Sequence, residues 1–158
     1  MVEKVAVMLS RSVDVLPTEG PWAYEPKLDG FRCLLLISEF GDVRLDSRRA
    51  KSLGRCFPEV VEAARLLPPG LVLDGELVIP GGGGVDFAAL QQRLRYSLPA
   101  RTTQLADQTP ASLVAFDVLH HDGHDLRPAL YDERRTVLEA VLNEAPRGVG
   151  LMPMTIHP

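Results

Sequence analysis

The sequence predicts an α+β fold, and three observations point to it. Apolar runs of strand length recur along the chain, Cys33-Leu34-Leu35-Leu36-Ile37 and Leu71-Val72-Leu73 among them. Tight turns at Asp29-Gly30 and Gly41-Asp42 punctuate them. Helical spacing takes over in Pro58–Leu67 and Asp132–Glu144, where apolar residues return every third or fourth position.

In order along the chain, Pro21–Lys27 is short and aromatic and reads as a first strand, followed by strands over Phe31–Ser38 and Val43–Ser47. The nearly continuous apolar run Phe31–Ile37 predicts a strand covered on both faces. Pro58 suits the first turn of a helix that places Val60, Val61, Ala64 and Leu67 on one side and ends at Pro68-Pro69-Gly70. Leu71–Ile79 is the next strand, carrying Asp74-Gly75-Glu76 inside an apolar run. Gly81–Gly84 reads as a hairpin connection, since no Lys-Ser/Thr follows to make it a phosphate loop. Asp86 caps a helix through Phe87, Leu90 and Leu94, and the polar stretch Arg101–Pro110 reads as a loop. Ser112–Leu119 is an apolar strand interrupted by Asp117, with a turn at His120–Gly123. Asp132–Glu144 forms a helix with Val137, Leu138, Val141 and Leu142 as its buried stripe, and Leu151–Ile156 begins a further strand. No repeat or linker divides residues 1–158, which read as one domain.

Composition narrows the function. With 46% hydrophobic and 24% charged residues the chain is a folded protein, not a disordered one. Its apolar runs are too short to cross a bilayer, so no membrane role is expected. Met1–Ser12 does not resemble a signal peptide, and Cys33 and Cys56 lack metal-ligand spacing; free buried thiols in a cytoplasmic protein are expected. His120, His121 and His124 crowd one turn without a fourth ligand, which argues against a zinc site. The net charge of −4 leaves no global footprint for nucleic acid. Locally, however, Arg44, Arg48, Arg49, Lys51 and Arg55 face a single Asp46, a strip that fits either phosphate contact or a solvated face.

The most informative segment is Tyr24-Glu25-Pro26-Lys27-Leu28-Asp29-Gly30-Phe31-Arg32. Lys27, one of only three lysines, stands before an Asp-Gly turn. An amine held there suits covalent work, because burial lowers a lysine pKa and frees the nucleophile. K-x-D-G by itself is more often a surface lysine beside a hairpin turn, and the surrounding residues decide between the two. Carboxylates recur in apolar strands at Asp74, Glu76 and Asp117, and such groups need a partner, a metal or a chemical task. Asp74 and Glu76, two apart on a strand, share a face. They fit a hydrated Mg²⁺, a ribose hydroxyl, or ion pairs with some of the fourteen arginines.

Together these segments resemble the covalent nucleotidyltransferases, and within them the adenylation domain of ATP-dependent DNA ligases. Lys27–Arg32 is similar to the K-x-D-G-x-R nucleophile motif, Asp46-Ser47-Arg48-Arg49 to the serine-arginine segment, Asp74-Gly75-Glu76 to the D-G-E motif, and Phe116-Asp117 to the aromatic-acid motif. Order and spacing agree across all four. Phe57–Val61 and Asp86–Leu94 look most like actinobacterial ligases.

The resemblance implies a nucleotidyltransferase (ATP-grasp-like ligase) fold of antiparallel sheets flanked by helices. It implies Lys27 as the nucleophile that attacks the α-phosphate of ATP, with an amine pKa lowered by desolvation and nearby cationic charge. It further implies Glu25 on the adenine amino group, Phe116 stacked on the purine, Glu76 on the ribose or on Mg²⁺, and Arg32 on the ribose or nick phosphate. Such stacking contributes roughly 1–3 kcal/mol. Arg48, with Arg49 beside it, would grip the 5′-phosphate of nicked or broken double-stranded DNA, and Asp117 would organise metal or a neighbouring arginine. The family's later metal-binding glutamate, K-x-K segment and oligonucleotide-binding domain have no counterpart in these 158 residues. The expectation is therefore a C-terminally incomplete adenylation domain that does not seal nicks unaided, with a separate polypeptide as one source of the missing groups. Two alternatives stay open: a non-catalytic module binding nucleotide or DNA ends, and an RNA ligase or capping guanylyltransferase.

Overall fold

Residues 7–95 and 99–157 are described by the computed structural model; Lys4 and the first half of Met1–Ser12 lie outside the described residues. Apolar runs of strand length build its sheet. In β1 (Phe31–Ile37) the odd positions Cys33, Leu35 and Ile37 enter the main core, while Leu34 and Leu36 join Leu119 on the opposite face. The strand is thus covered on both sides, as its unbroken apolar run predicts. After β2 (Val43–Ser47), α1 (Pro58–Ala64) starts with its proline in the first turn and buries Val60, Ala63 and Ala64. It is shorter than its periodicity suggests, and Gly70, at φ +70°, lets the chain turn into β3 (Leu71–Val78). The glycine run forms a small hairpin of β4 (Pro80–Gly81) and β5 (Gly84–Val85). Asp86 then caps α2 (Phe87–Arg95) by accepting from the Ala89 N–H at 2.9 Å.

Four sequence expectations are corrected. Arg101–Pro110 is not a loop: α3 (Pro99–Gln108) buries Thr102, Leu105 and Ala106, a helical triplet that a polar sequence disguises. Pro21–Lys27 forms no strand. Pro21 and Pro26 have no N–H to give a ladder, and only Tyr24 pairs, in an isolated bridge to Thr155. The turn at the end of β6 (Ser112–His121) is confined to Asp122-Gly123, with β7 (His124–Asp125) pairing back. After α4 (Tyr131–Leu142), the last strand is β8 (Val149–Leu151) and not Leu151–Ile156; it runs parallel to β6, so the sheet is mixed.

The sheet order is β2-β1-β3-β6-β7, with β8 also on β6. One face packs on α1, α2 and α4 through Phe57, Val60, Leu90, Leu138 and Leu142. A fully buried leucine such as Leu35 or Leu73 stabilises by about 1.5–3 kcal/mol. Within this core lies a buried cation. Arg93 of α2 rests on the Phe57 ring at 5.0 Å, donates to the Cys56 and Thr109 carbonyls, and pairs with Glu59 at 2.7 Å. Glu59 in turn accepts from the Ala111 N–H at 3.0 Å, so one ion pair ties α1, α2 and the entry to β6 together.

Candidate active site

The second face of the sheet gathers the polar residues. Register sets Arg32 opposite Glu76, and Asp74 opposite both Leu34 and Asp117. Pairing slips between Asp74 and Gly75, where β6 has one extra residue. This bulge brings the consecutive residues Phe116 and Asp117 to the site, a usual way for a strand to re-aim side chains. Gly75 permits close approach there, since a Cβ would lie 2.7 Å from the Val114 carbonyl oxygen.

Arg32 is the centre of this face. It grips Asp74 through two hydrogen bonds, 3.0 and 2.7 Å, and its guanidinium lies 5.5 Å from the centre of the Phe116 ring. Burial pushes the Asp74 carboxyl above the usual carboxylate range, and Arg32 opposes that shift. Glu76 is likewise raised, by burial first, while one of its oxygens accepts from the Gly30 N–H at 3.1 Å. That bond pins the K-x-D-G turn to the D-G-E strand. Gly30 is required at this point, because a side chain would run into the Leu77 carbonyl and the Glu76 side chain.

Lys27 stands at the rim of this face, on the loop ahead of β1. Its side chain is 84% exposed and paired with Asp29, and that pairing raises its pKa. The expected desolvated amine is therefore corrected: the loop is open to water, and the nearest charge is negative. Asp117 gives both oxygens to Arg134 of α4, at 2.8 and 3.1 Å. Glu25 lies against α4 too, where Tyr131 and Arg135 contact its Oε1. Sequence reasoning missed these three α4 residues. The available signal was that Arg134 and Arg135 fall on the same helical stripe as Leu138 and Leu142.

Beside the pinned turn is a cleft of about 580 Å³ lined by Gly30, Arg32, Arg48, Arg49, Lys51 and Leu94, among others. Arg48 and Arg49 thus share one cavity with Arg32, and among the described residues neither carries an ion pair. Arg44 does not contribute, being paired with Asp46 at 2.8 Å. No group of three or more His, Cys, Asp or Glu side chains that could hold a metal occurs among the described residues, the histidine turn included. No helix among the described residues is long and apolar enough to cross a membrane.

Known proteins resemble this chain in sequence and in fold. Residues 5–157 match the family model described as ATP dependent DNA ligase domain. DNA ligase C2 of Mycolicibacterium smegmatis is 42% identical over 152 residues, covering 96% of this chain and 42% of the relative. DNA ligase C of Mycobacterium tuberculosis is 42% identical over 135 residues, with 85% and 37% covered. The ligase domain of M. tuberculosis LigD superposes with a TM-score of 0.66 at 31% identity, over 84% of this chain and 39% of that one. A mycobacterial DNA ligase D solved with ATP and MES superposes at 0.62 and 28% identity, again over 84% and 39%. The chain spans about two-fifths of the length of these relatives.

Proposed function

The chain belongs to the ATP-dependent DNA ligase family, and from that premise we propose that it is part of an adenylation domain in which Lys27 forms a covalent link to AMP. The observation that carries this reading is the Gly30–Glu76 hydrogen bond, which holds the lysine turn over the face bearing Arg32 and Phe116. In the proposed step Lys27 Nζ bonds to the α-phosphorus of ATP while the bond to the β-phosphate oxygen breaks, and pyrophosphate leaves with the electron pair. The ammonium must first lose a proton, and Asp29 is the adjacent acceptor. Phe116 offers its ring to the purine and Glu25 a carboxylate to the adenine amino group. Arg32 turns from Phe116 to the ribose or nick phosphate. Glu76 would hold Mg²⁺, which when bound neutralises phosphate charge; Asp117 would join it only by giving up Arg134. Arg48 and Arg49 are proposed to receive the 5′-phosphate of nicked or broken duplex DNA in the basic cleft, for which guanidinium forks are suited.

The relatives' names indicate DNA ligases, and a Bacillus subtilis relative, 35% identical, is named a bifunctional non-homologous end joining protein. A cytoplasmic location goes with such a role. Sealing of nicks is proposed to need phosphate-binding groups beyond these 158 residues, and a separate polypeptide is one candidate source. Intact mass after incubation with ATP and Mg²⁺ tests the first step. The expected result is an added AMP on the native chain and none on Lys27→Ala. One observation favours the non-catalytic alternative, namely that Lys27 is exposed with a raised pKa. Tight ATP or nick binding with no adduct at any pH would decide for it.

A further inference from the structure

Glu25 meets partners that lie more than a hundred residues away in sequence. The Tyr131 hydroxyl donates to Glu25 Oε1 at 3.1 Å, and Arg135 Nη1 approaches the same oxygen at 3.4 Å. Arg135 is itself fixed, donating to Glu139 at 2.6 Å and to the Met152 carbonyl at 3.0 Å. Among the described residues Glu25 Oε2 has no hydrogen-bond partner. A guanidinium only donates, so the oxygen facing it must accept, and the carboxylate has one anchored end and one open end. Burial raises the Glu25 pKa, and the same two partners oppose that rise; the Asp117 charge adds to it.

We infer that Tyr131 and Arg135 are specificity-determining positioning residues, which hold Glu25 so that its free oxygen selects a purine carrying a 6-amino donor and disfavours one carrying a 6-oxo acceptor. The inference rests on the proposed nucleotide site and adds the residues that orient its base-reading group. An unanchored carboxylate would swing and read the base edge weakly; an anchored one reads it as a fixed acceptor.

Two substitutions test this in the full chain by equilibrium binding of ATP, ITP and the triphosphate of 6-desamino purine riboside. In Glu25→Gln the amide oxygen is compelled to face Arg135, which turns the NH₂ toward the base. Preference is then expected to invert, from ATP over ITP to ITP over ATP. In Tyr131→Phe the roughly ten-fold advantage expected for ATP over the desamino analogue should shrink toward parity, with affinity for the analogue retained. A purely structural role would weaken all three ligands alike. Native protein that prefers ATP, together with an uninverted Glu25→Gln and an unchanged Tyr131→Phe ratio, overturns the inference and leaves the proposed function standing. Native protein that binds none of the three overturns both. Should Tyr131→Phe not fold, the Glu25→Gln inversion decides alone.

Discussion

Replacing Arg32 by alanine strands Asp74, and the consequence can be worked from their environment. The Asp74 side chain is only 3% exposed and relies on the two guanidinium hydrogen bonds for its charge. Removing one partner of a buried pair typically costs about 3–5 kcal/mol, because the remaining charge is left uncompensated. The sign of the pH dependence follows from the direction of the shift. The folded-state pKa of Asp74 is raised, so this group favours folding most below its unfolded pKa, and that contribution is lost as pH rises through the folded value. Without Arg32 the folded value rises further, since the guanidinium was opposing the increase. The loss in Arg32→Ala should therefore be large at pH 7.5 and smaller at pH 5, because lowering the pH moves the carboxyl toward its neutral form. Urea unfolding followed by circular dichroism at both pH values measures it. The double substitution Arg32→Ala/Asp74→Asn should recover more than half of the loss at pH 7.5. A single variant within about 1 kcal/mol of the native protein at both pH values would refute the account of a buried, mutually dependent pair.

Arg93→Met should destabilise by a similar amount, about 3–5 kcal/mol, because Glu59 and two backbone carbonyls lose their donor; the same urea titration reads it. Gly30→Ala forces the lysine turn away from β3 and breaks the bond to Glu76. A thermal-melt loss equivalent to about 1–3 kcal/mol is expected, and an unchanged melt would show that the turn has slack.

Much of this arrangement was legible because it is local. The nearly continuous apolar run Phe31–Ile37, the Gly81–Gly84 hairpin and the Asp86 cap are short-range signals, and each led to the element observed. The failures share a cause: the deciding partner was distant. Thr102 gives no apolar signal, so α3 reads as a loop until its burial with Leu105 and Ala106 is seen. Tyr24 lies in an aromatic stretch that would pass for a strand, yet prolines on either side leave it a single bridge. Parallel pairing of β8 cannot be read from a three-residue apolar run. At the candidate site, the acidic islands were visible in the sequence but their counterions were not. Asp74 and Asp117 turned out to face Arg32 and Arg134, and whether an arginine is a partner or a surface charge depends on the fold. Lys27 shows the reverse: the resemblance implied a desolvated amine, and among the described residues no neighbour conceals it.

The reciprocal backbone bonds between Tyr24 and Thr155, 2.8 and 3.0 Å, tie the segment ahead of Lys27 to one far along the chain. Closing so long a chain segment carries an entropic cost that grows slowly with its length, and the bridge, the Arg135 contact to Met152 and β8 meet it jointly. The approach to Lys27 is thereby fastened by contacts distant in sequence as well as by the bond from Gly30 to Glu76.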